Sequence, residues 1–290
     1  MQQGIDLLKT TVFSLPKDFA YLAVVLVMLV IARLFKDILT PYKLSEQLTA
    51  RDNPAVGMSV AGYYLAVLIV CIGPLHTPSA PNSALWKDLL DTAGYMALGI
   101  LLLNLARIIV DKVLLPKFST SEEIIRDRNV GAGSVEMGAY IASGLIVAAA
   151  LQGRGGGPQT TLAFFGLGQV ALVVYGYIYM AVCRYNVAQE IENDNVAAGV
   201  ALGMNLIAMG LILVGAIAGD FTSWTHNLTL FGVRWLFGVV VLLLLRVFID
   251  FLLLPGVRID KEIQQDRNLN AAWVEGAVLA GLAGLLLTLM

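Results

Sequence analysis

Two stretches decide the fold: RIIVDKVLLPKFSTSEEIIRDRNVGAGSVE at residues 107–136 and RVFIDFLLLPGVRIDKEIQQDRNLNAAWVE at residues 246–275. They align without a gap at a constant offset of 139 residues. Polar identities in apolar surroundings do not arise from hydropathy alone, so the pair indicates an internal duplication. The matched residues are Arg107, Asp111, Pro116, Glu123, Ile124, Asp127, Arg128, Asn129 and Glu136 in the first stretch and Arg246, Asp250, Pro255, Glu262, Ile263, Asp266, Arg267, Asn268 and Glu275 in the second.

Two weaker copies of the pattern complete a set of four. One precedes each strong copy, and the copy in the second half keeps the loop but not the charges of the helix before it. Four copies predict four two-helix units inserted in the same direction, which implies pseudo-symmetry about an axis normal to the membrane. The weaker copies consist of Arg33, Asp37, Pro41, Glu46 and Asp52-Asn53, and of Gln189-Glu190-Ile191 and Asp194-Asn195.

The composition requires a lipid environment. Of the 290 residues, 58% are hydrophobic and 14% are charged, whereas about 25% of the residues in a soluble domain are charged. Apolar runs of about 20 residues, long enough to cross a bilayer, predict an all-α polytopic membrane protein with eight transmembrane helices. The runs lie at about 18–36, 54–73, 92–115, 130–151, 162–183, 196–218, 232–254 and 270–290.

These runs divide the chain into segments. An N-terminal interfacial segment, 1–16, is expected to lie on the membrane surface because it is amphipathic and too short to span. The two four-helix halves, related by pseudo-two-fold symmetry, are 17–151 and 162–290. The repeat units within them are 17–73, 92–151, 162–218 and 232–290.

The positive charges predict the orientation. Of the 19 Lys and Arg residues, 14 lie in or near the loops after the first, third, fifth and seventh runs. By the positive-inside rule these loops face the cytoplasm and both termini face outward. In a bacterium this means the inner membrane, with periplasmic termini.

An asparagine opens the second helix of each unit: Asn53, Asn129, Asn195 and Asn268. Asparagine side chains accept hydrogen bonds from the free N–H groups of a first helical turn, so helix capping is the first interpretation. Four capped helix N-termini close together could instead attract an anion, although the accompanying aspartates oppose this. The candidate cap and loop residues are Asn53, Asp127, Arg128, Asn129, Asp194, Asn195, Asp266, Arg267 and Asn268.

Charged residues also recur inside the membrane. Glu136 and Glu275 lie seven residues beyond a capping asparagine, about 10 Å deep, and Arg107 and Arg246 reach a similar depth from the preceding helix. A buried charge is costly in lipid and is retained when it is paired or functional. The hypotheses are therefore two Arg–Glu–Asp clusters that hold hairpins together, or carboxylates that line a proton or cation path. The cluster residues are Arg107, Asp111, Glu136, Arg246, Asp250 and Glu275.

The remaining residue types indicate packing. Glycine and alanine are frequent in the second helices, which favours close helix contacts and leaves open a contact with a second copy. Cys71 and Cys183 lie in apolar runs at opposite membrane faces, and His76 and His226 are isolated. No catalytic set, metal site, cofactor motif or nucleic-acid-binding surface is predicted.

The acidic loop ending in Asp-Arg-Asn or Asp-Asn, followed by an Ala/Gly-rich helix, resembles the YjfL-like bacterial inner-membrane family, classed as domain of unknown function 350. The resemblance implies a two-helix unit in tandem and a bacterial inner membrane, but no activity. It is carried by Glu123–Gly138, Glu262–Gly276, Glu190–Gly199 and Glu46–Gly62.

The expected function is that of a non-enzymatic membrane protein, concerned with membrane organisation or stress response, whose cytoplasmic loops dock a protein partner. The recurrence of mixed charge in the loops, as in Ser119–Asn129, favours this. The alternative is an ion or proton channel or transporter that uses Glu136 and Glu275.

Overall fold

The computed structural model describes residues 2–76, 83–114, 122–253 and 256–289, so Pro116 and Pro255 lie outside the described residues. All regular elements in these ranges are helical. The α-helices are α1 Gln2–Leu39, α2 Pro54–Leu75, α3 Leu85–Val113, α4 Val130–Ala150, α5 Pro158–Val182, α6 Val187–Glu192, α7 Val196–Ile217, α8 Trp224–Phe248, α9 Ile259–Gln264 and α10 Leu269–Leu289; π-helical turns lie at Glu46–Ala50, Glu123–Asp127 and Ile249–Leu253.

Seven of the described helices are long and apolar enough to cross a membrane: α2, α3, α4, α5, α7, α8 and α10. The all-helical membrane architecture predicted from composition is thereby confirmed. The 38-residue helix α1 precedes these seven. Residues 2–16 continue into the rest of α1 without a break, so the predicted interfacial segment belongs to the same helix as the first apolar run.

Helices α3 and α8 begin with polar turns that precede their apolar runs. Helix α3 begins at Leu85 and carries Asp88 in its first turn, where a negative charge is favoured. Helix α8 begins at Trp224, after Ser223, whose hydroxyl accepts a hydrogen bond from the His226 N–H at 3.2 Å. Hydropathy does not report such polar first turns, so both helices begin about two turns before the apolar runs.

The second helices of the predicted units form one row, with α2 packed on α4, α4 on α7 and α7 on α10. Helices α1, α3, α5 and α8 pack against the sides of this row. A methyl group added at Gly199 would overlap the backbone of Gly131, and one at Gly203 would overlap that of Ser134. The small residues therefore allow α4 and α7 to approach closely, and most residues of these two helices are buried.

Candidate functional site

The four charged loops end in the same backbone conformation. The residue before each capping asparagine has a positive φ: 45° at Asp52, 59° at Arg128, 59° at Asp194 and 48° at Arg267. A left-handed residue costs about 1 kcal/mol or more when it is not glycine, so four occurrences indicate a required turn. This turn ends the short loop helix and directs the chain into the next long helix.

Each asparagine then caps that helix. The side-chain oxygen of Asn129 accepts from the Ala132 N–H at 2.9 Å, and that of Asn195 accepts from the Ala198 N–H at 3.3 Å. Asn53 and Asn268 each accept from two N–H groups of their own first turns. Because the capping oxygens are already engaged by backbone donors, the alternative of an anion-binding ring has little support in the geometry.

The other end of the same side chain links neighbouring loops. The Asn53 amide nitrogen donates to the backbone oxygen of Ile124 at 2.9 Å. Asn129 donates likewise to Ile191 at 2.6 Å, and Asn195 to Ile263 at 2.8 Å. Each loop is thus bonded to the loop of the following unit, and the four loops form a continuous row.

Within each loop the asparagine also donates to a side chain five or six residues before it. That residue is Gln47 in the first loop and Glu123, Glu190 and Glu262 in the others. Burial raises the pKa of the Glu123 carboxyl, and the hydrogen bond from the Asn129 amide opposes this shift. Equivalent positions therefore make equivalent bonds in all four loops.

The outer surface of the row carries mixed charge. Arg126 and Asp127 are exposed and paired at 2.9 Å, and this hydrogen bond lowers the pKa of the Asp127 carboxyl. In the first loop, Arg51 pairs with Glu46 at 2.8 Å. Exposed pairs contribute little to stability, so these side chains are available to a partner. The exposed charged loop residues include Lys43, Glu46, Arg51, Asp52, Glu122, Arg126, Asp127, Arg128, Arg184, Glu192, Asp194, Arg258, Lys261, Asp266 and Arg267.

The first buried cluster joins the helices of the first half. The Arg107 Nε lies 2.9 Å from an oxygen of Glu136 and 3.5 Å from an oxygen of Asp111. Glu136 is 4% exposed, so the ion pair lies in the interior. The depths expected from the sequence thus correspond to a contact between α3 and α4.

Sequence reasoning missed a fourth member of this cluster, Lys36, which is 1% exposed. Its ammonium donates to the Tyr140 hydroxyl at 3.0 Å and lies 4.6 Å and 4.4 Å from the ring centres of Tyr63 and Tyr140. Two cations thus face two carboxylates in this cluster. The sequence signal that could have indicated a larger cluster is Tyr140, which lies one helical turn after Glu136 and on the same face of the helix.

Tyr42 lies at the outer edge of this cluster, beyond the end of α1. Burial raises its pKa to about 12, and the negative charge of Glu136 adds to the shift. The Tyr42 phenol is therefore neutral at physiological pH.

The second cluster joins the helices of the second half. Arg246 lies 3.2 Å from Glu275, which is fully buried, and 2.6 Å from Asp260. It also donates to the Cys183 sulfur at 3.0 Å and stacks over Tyr179 at 4.8 Å. Sequence reasoning had not selected Asp260, Tyr179 or Cys183.

Asp250 serves a different purpose from Asp111. Its carboxylate accepts the Ile259 N–H at 2.7 Å and so fixes the start of α9. Asp37 makes the corresponding bond to the Leu44 N–H at 3.4 Å. Sequence spacing cannot distinguish a carboxylate that pairs with arginine from one that caps a loop on the same helical face.

Each glutamate therefore faces an arginine of its own half. The space beside Arg107, Asp111 and Glu136 is about 10 Å³, room for about one water molecule. A larger cavity of about 270 Å³ lies at the opposite end of the helices from the loops, where Lys87, Asp91 and Arg154 are among its lining residues. Among the described side chains, no group of three or more His, Cys, Asp and Glu residues is arranged to hold a metal ion.

Comparison with known proteins now gives the family. The sequence profile of the family described as Domain of Unknown Function (DUF350) matches residues 10–151 and again residues 156–290. The chain belongs to the DUF350 family. Each DUF350 match spans one four-helix half of the chain, so the family's unit is longer than the two-helix unit that the resemblance suggested. The division of each half into two units stays a prediction.

Two relatives carry the description of a transmembrane protein. The UPF0719 transmembrane protein of Aquifex aeolicus (strain VF5) is 24% identical over 252 residues, which cover 86% of this DUF350 chain and 90% of the relative. The UPF0719 transmembrane protein YshE of Bacillus subtilis (strain 168) is 26% identical over 121 residues, which cover 42% of this chain and 85% of the relative. No solved structure was found to match. The chain is thus a multi-pass integral membrane protein, as predicted, and its relatives' names assign no activity.

Proposed function

We propose that this DUF350 protein is a non-enzymatic scaffold of the bacterial inner membrane that presents its four charged loops as one docking surface to a cytoplasmic protein. The row of hydrogen bonds from each asparagine to the next loop carries the proposal. It holds loops that are distant in sequence at fixed spacing.

The charge on the row supports a protein partner. Both signs alternate along the exposed loop residues, as in Arg126–Asp127–Arg128. A surface of mixed sign gives directional complementarity to another protein surface, whereas an anionic membrane surface attracts a basic cluster. The backbone turn that recurs in all four loops and the asparagine bonds remove loop entropy before binding, which favours affinity.

Site-specific photocrosslinking in living cells tests the docking. A photoreactive residue at Arg126 or Lys261, both exposed in the loops, is expected to capture a cytoplasmic protein. The matched control places the same residue at Arg154, which is exposed at the opposite end of the helices. The band captured from Lys261 must disappear when Arg126 and Asp127 exchange places. Equal capture from Arg154, or a band indifferent to the exchange, contradicts the proposal.

The proposal includes an orientation with eight spans. Helix α1 is long enough to cross a bilayer, and its exposed side chains Phe19, Leu26, Val30 and Leu34 form an apolar outer surface. If α1 crosses, both termini lie on the periplasmic side with Arg154, and the charged loops lie in the cytoplasm.

Cysteine labelling tests this orientation. In intact cells, a membrane-impermeant maleimide is expected to label Lys17→Cys and Arg154→Cys, while Arg126→Cys reacts only after the membrane is opened. The native Cys71 and Cys183 are buried and give the background. Labelling of Arg126→Cys in intact cells would show that the orientation is the opposite of the proposed one. If Arg154→Cys is labelled but Lys17→Cys is protected, α1 does not cross the membrane and the protein has seven spans.

The ion-path alternative has less support from the geometry. A carboxylate that carries protons or cations must exchange them with water, whereas Glu136 and Glu275 are bound to arginines. Proteoliposomes with wild-type protein are expected to show no more proton flux than empty liposomes. Flux that is lost in Glu136→Gln would restore the path hypothesis.

A further inference from the structure

The contacts between neighbouring second helices repeat in one register along the row. Among the described helices, the first and last of the row each lack a neighbour on one side. Positions in each long second helix are counted here from its capping asparagine. At every internal step, the residue at position 9 of one helix meets the residue at position 8 of the next: Gly62 with Met137, Gly138 with Gly203, and Met204 with Gly276. At least one of the two is glycine each time, and a methyl group on Gly62, Gly138 or Gly276 would overlap the neighbour. The three interfaces therefore use the same register.

Two further pairs repeat in the same way. Position 4 meets position 2 of the preceding helix, as Gly133 meets Ala55 and Gly199 meets Gly131. Position 15 meets position 13 of the preceding helix, as Gly144 meets Ala66. Gly210 meets Ala142 by the same rule. Each helix of the row is therefore related to the next by nearly the same rotation and translation.

The first helix of the row has a free face at the positions that would meet a preceding helix. On α2, position 4 is Gly57, and a methyl group there would have nothing within 4 Å. Position 8 is Ala61, which is exposed, and position 15 is Leu68, which is 40% exposed.

The last helix has a free face at the positions that would meet a following helix. On α10, position 9 is Ala277, which is exposed. Position 13 is Gly281, where an added methyl group would again have nothing within 4 Å. Small residues thus stand where a neighbour is required, and the space at Gly281 corresponds to the bulk of Leu68.

The loops at the two ends of the row carry complementary hydrogen-bonding groups. Asn268 donates to Glu262 of its own loop at 2.8 Å, and among the described residues its amide donates to no carbonyl of another loop. At the other end, Leu48 occupies the position of Ile124, because the Asn53 N–H bonds to Gln47 as the Asn129 N–H bonds to Glu123. One end of the row therefore presents the amide and the other end the carbonyl of the same inter-loop bond.

A shorter relative corresponds to only one half of this chain. The Bacillus subtilis relative aligns over 85% of its own length with 42% of this chain, so it is about half as long. In a chain of one half, a row of four units requires a second copy.

We propose that copies of this chain associate head to tail, with α10 of one copy packed on α2 of the next and with Asn268 of one copy donating to the Leu48 carbonyl of the next. The interface is heterologous, so repetition yields a closed ring if the rotation per copy closes and an extended row if it does not. Either assembly lengthens the array of cytoplasmic loops.

Disulfide formation in native membranes tests the register. A chain carrying both Ala61→Cys and Ala277→Cys is expected to give crosslinked multiples of 31.1 kDa on oxidation, because these positions meet across the junction. Neither single variant is expected to crosslink. The matched control pairs Ala277→Cys with Val170→Cys, an exposed position on α5, which packs beside the middle of the row, and is expected to stay uncrosslinked.

A second measurement does not depend on cysteine chemistry. Native mass measurement from lipid nanodiscs is expected to show wild-type oligomers, single chains for Ala277→Trp, and wild-type oligomers for Leu101→Trp on the exposed face of α3. The proposal is overturned by single chains in the wild type, by unchanged oligomers in Ala277→Trp, or by dimers of Ala61→Cys alone, which would mark a symmetric interface.

Discussion

Replacing Asn129 with serine separates helix capping from the bond between loops. Serine is also a good N-cap, so the acceptor for the Ala132 N–H is kept at a cost of a few tenths of a kcal/mol. Serine has no amide to reach Ile191, whose side chain is fully buried and whose carbonyl the Asn129 amide contacts at 2.6 Å. The Ile191 carbonyl keeps its bond from the Asp194 N–H at 3.1 Å, so the substitution there removes one hydrogen bond, worth about 0.5–1.5 kcal/mol. With the lost bond to Glu123, worth about 1 kcal/mol, we expect Asn129→Ser to lower the free energy of unfolding by about 1.5–2.5 kcal/mol.

Asn268→Ser is the matched control. Asn268 is only partly buried and donates within its own loop, so the same substitution should cost about 1 kcal/mol in a single chain. The measurement is unfolding by SDS in mixed micelles, followed by tryptophan fluorescence, at a dilution where the species has the mass of one chain. Equal losses for Asn129→Ser and Asn268→Ser, within about 0.5 kcal/mol, would refute the reasoning that the bond between loops holds the row together.

Three other outcomes follow from the contacts. Glu275→Leu leaves the Arg246 guanidinium buried beside a single carboxylate and should lower the free energy of unfolding by about 3–5 kcal/mol in the same assay. Adding Arg246→Met to this variant should recover part of the loss, because the uncompensated charge is removed. No recovery in the double variant would mean that the pair contributes more than mutual neutralisation. Gly199→Leu should prevent the contact between α4 and α7, so that no folded, monodisperse protein is obtained. Gly57→Leu should leave the fold intact, because the space beside Gly57 is open, and by helix propensity it should raise the free energy of unfolding by up to about 1 kcal/mol. Gly57→Leu should also abolish oligomers in nanodiscs, and oligomers that persist would argue against the head-to-tail junction.

Local features of the chain can largely be predicted from its sequence. Apolar runs report helices that cross lipid, because any polar backbone group must be satisfied within the helix there. The asparagines could be assigned as caps because the interaction spans only two or three residues. The depths of Arg107 and Glu136 also follow from counting residues along two antiparallel helices.

The tertiary structure decided which groups meet across the chain. Nothing in the spacing of Asn129 points to the carbonyl of Ile191, 62 residues away, since that bond depends on α4 and α7 approaching through Gly131 and Gly199. The burial of Lys36 between two tyrosines depends likewise on three separate helices. The duplicated stretches at 107–136 and 246–275 therefore establish from sequence alone that the chain repeats. That the repeats stand in a row with two free ends is a property of the packing, because only side-chain contacts between helices define which face of each helix is covered.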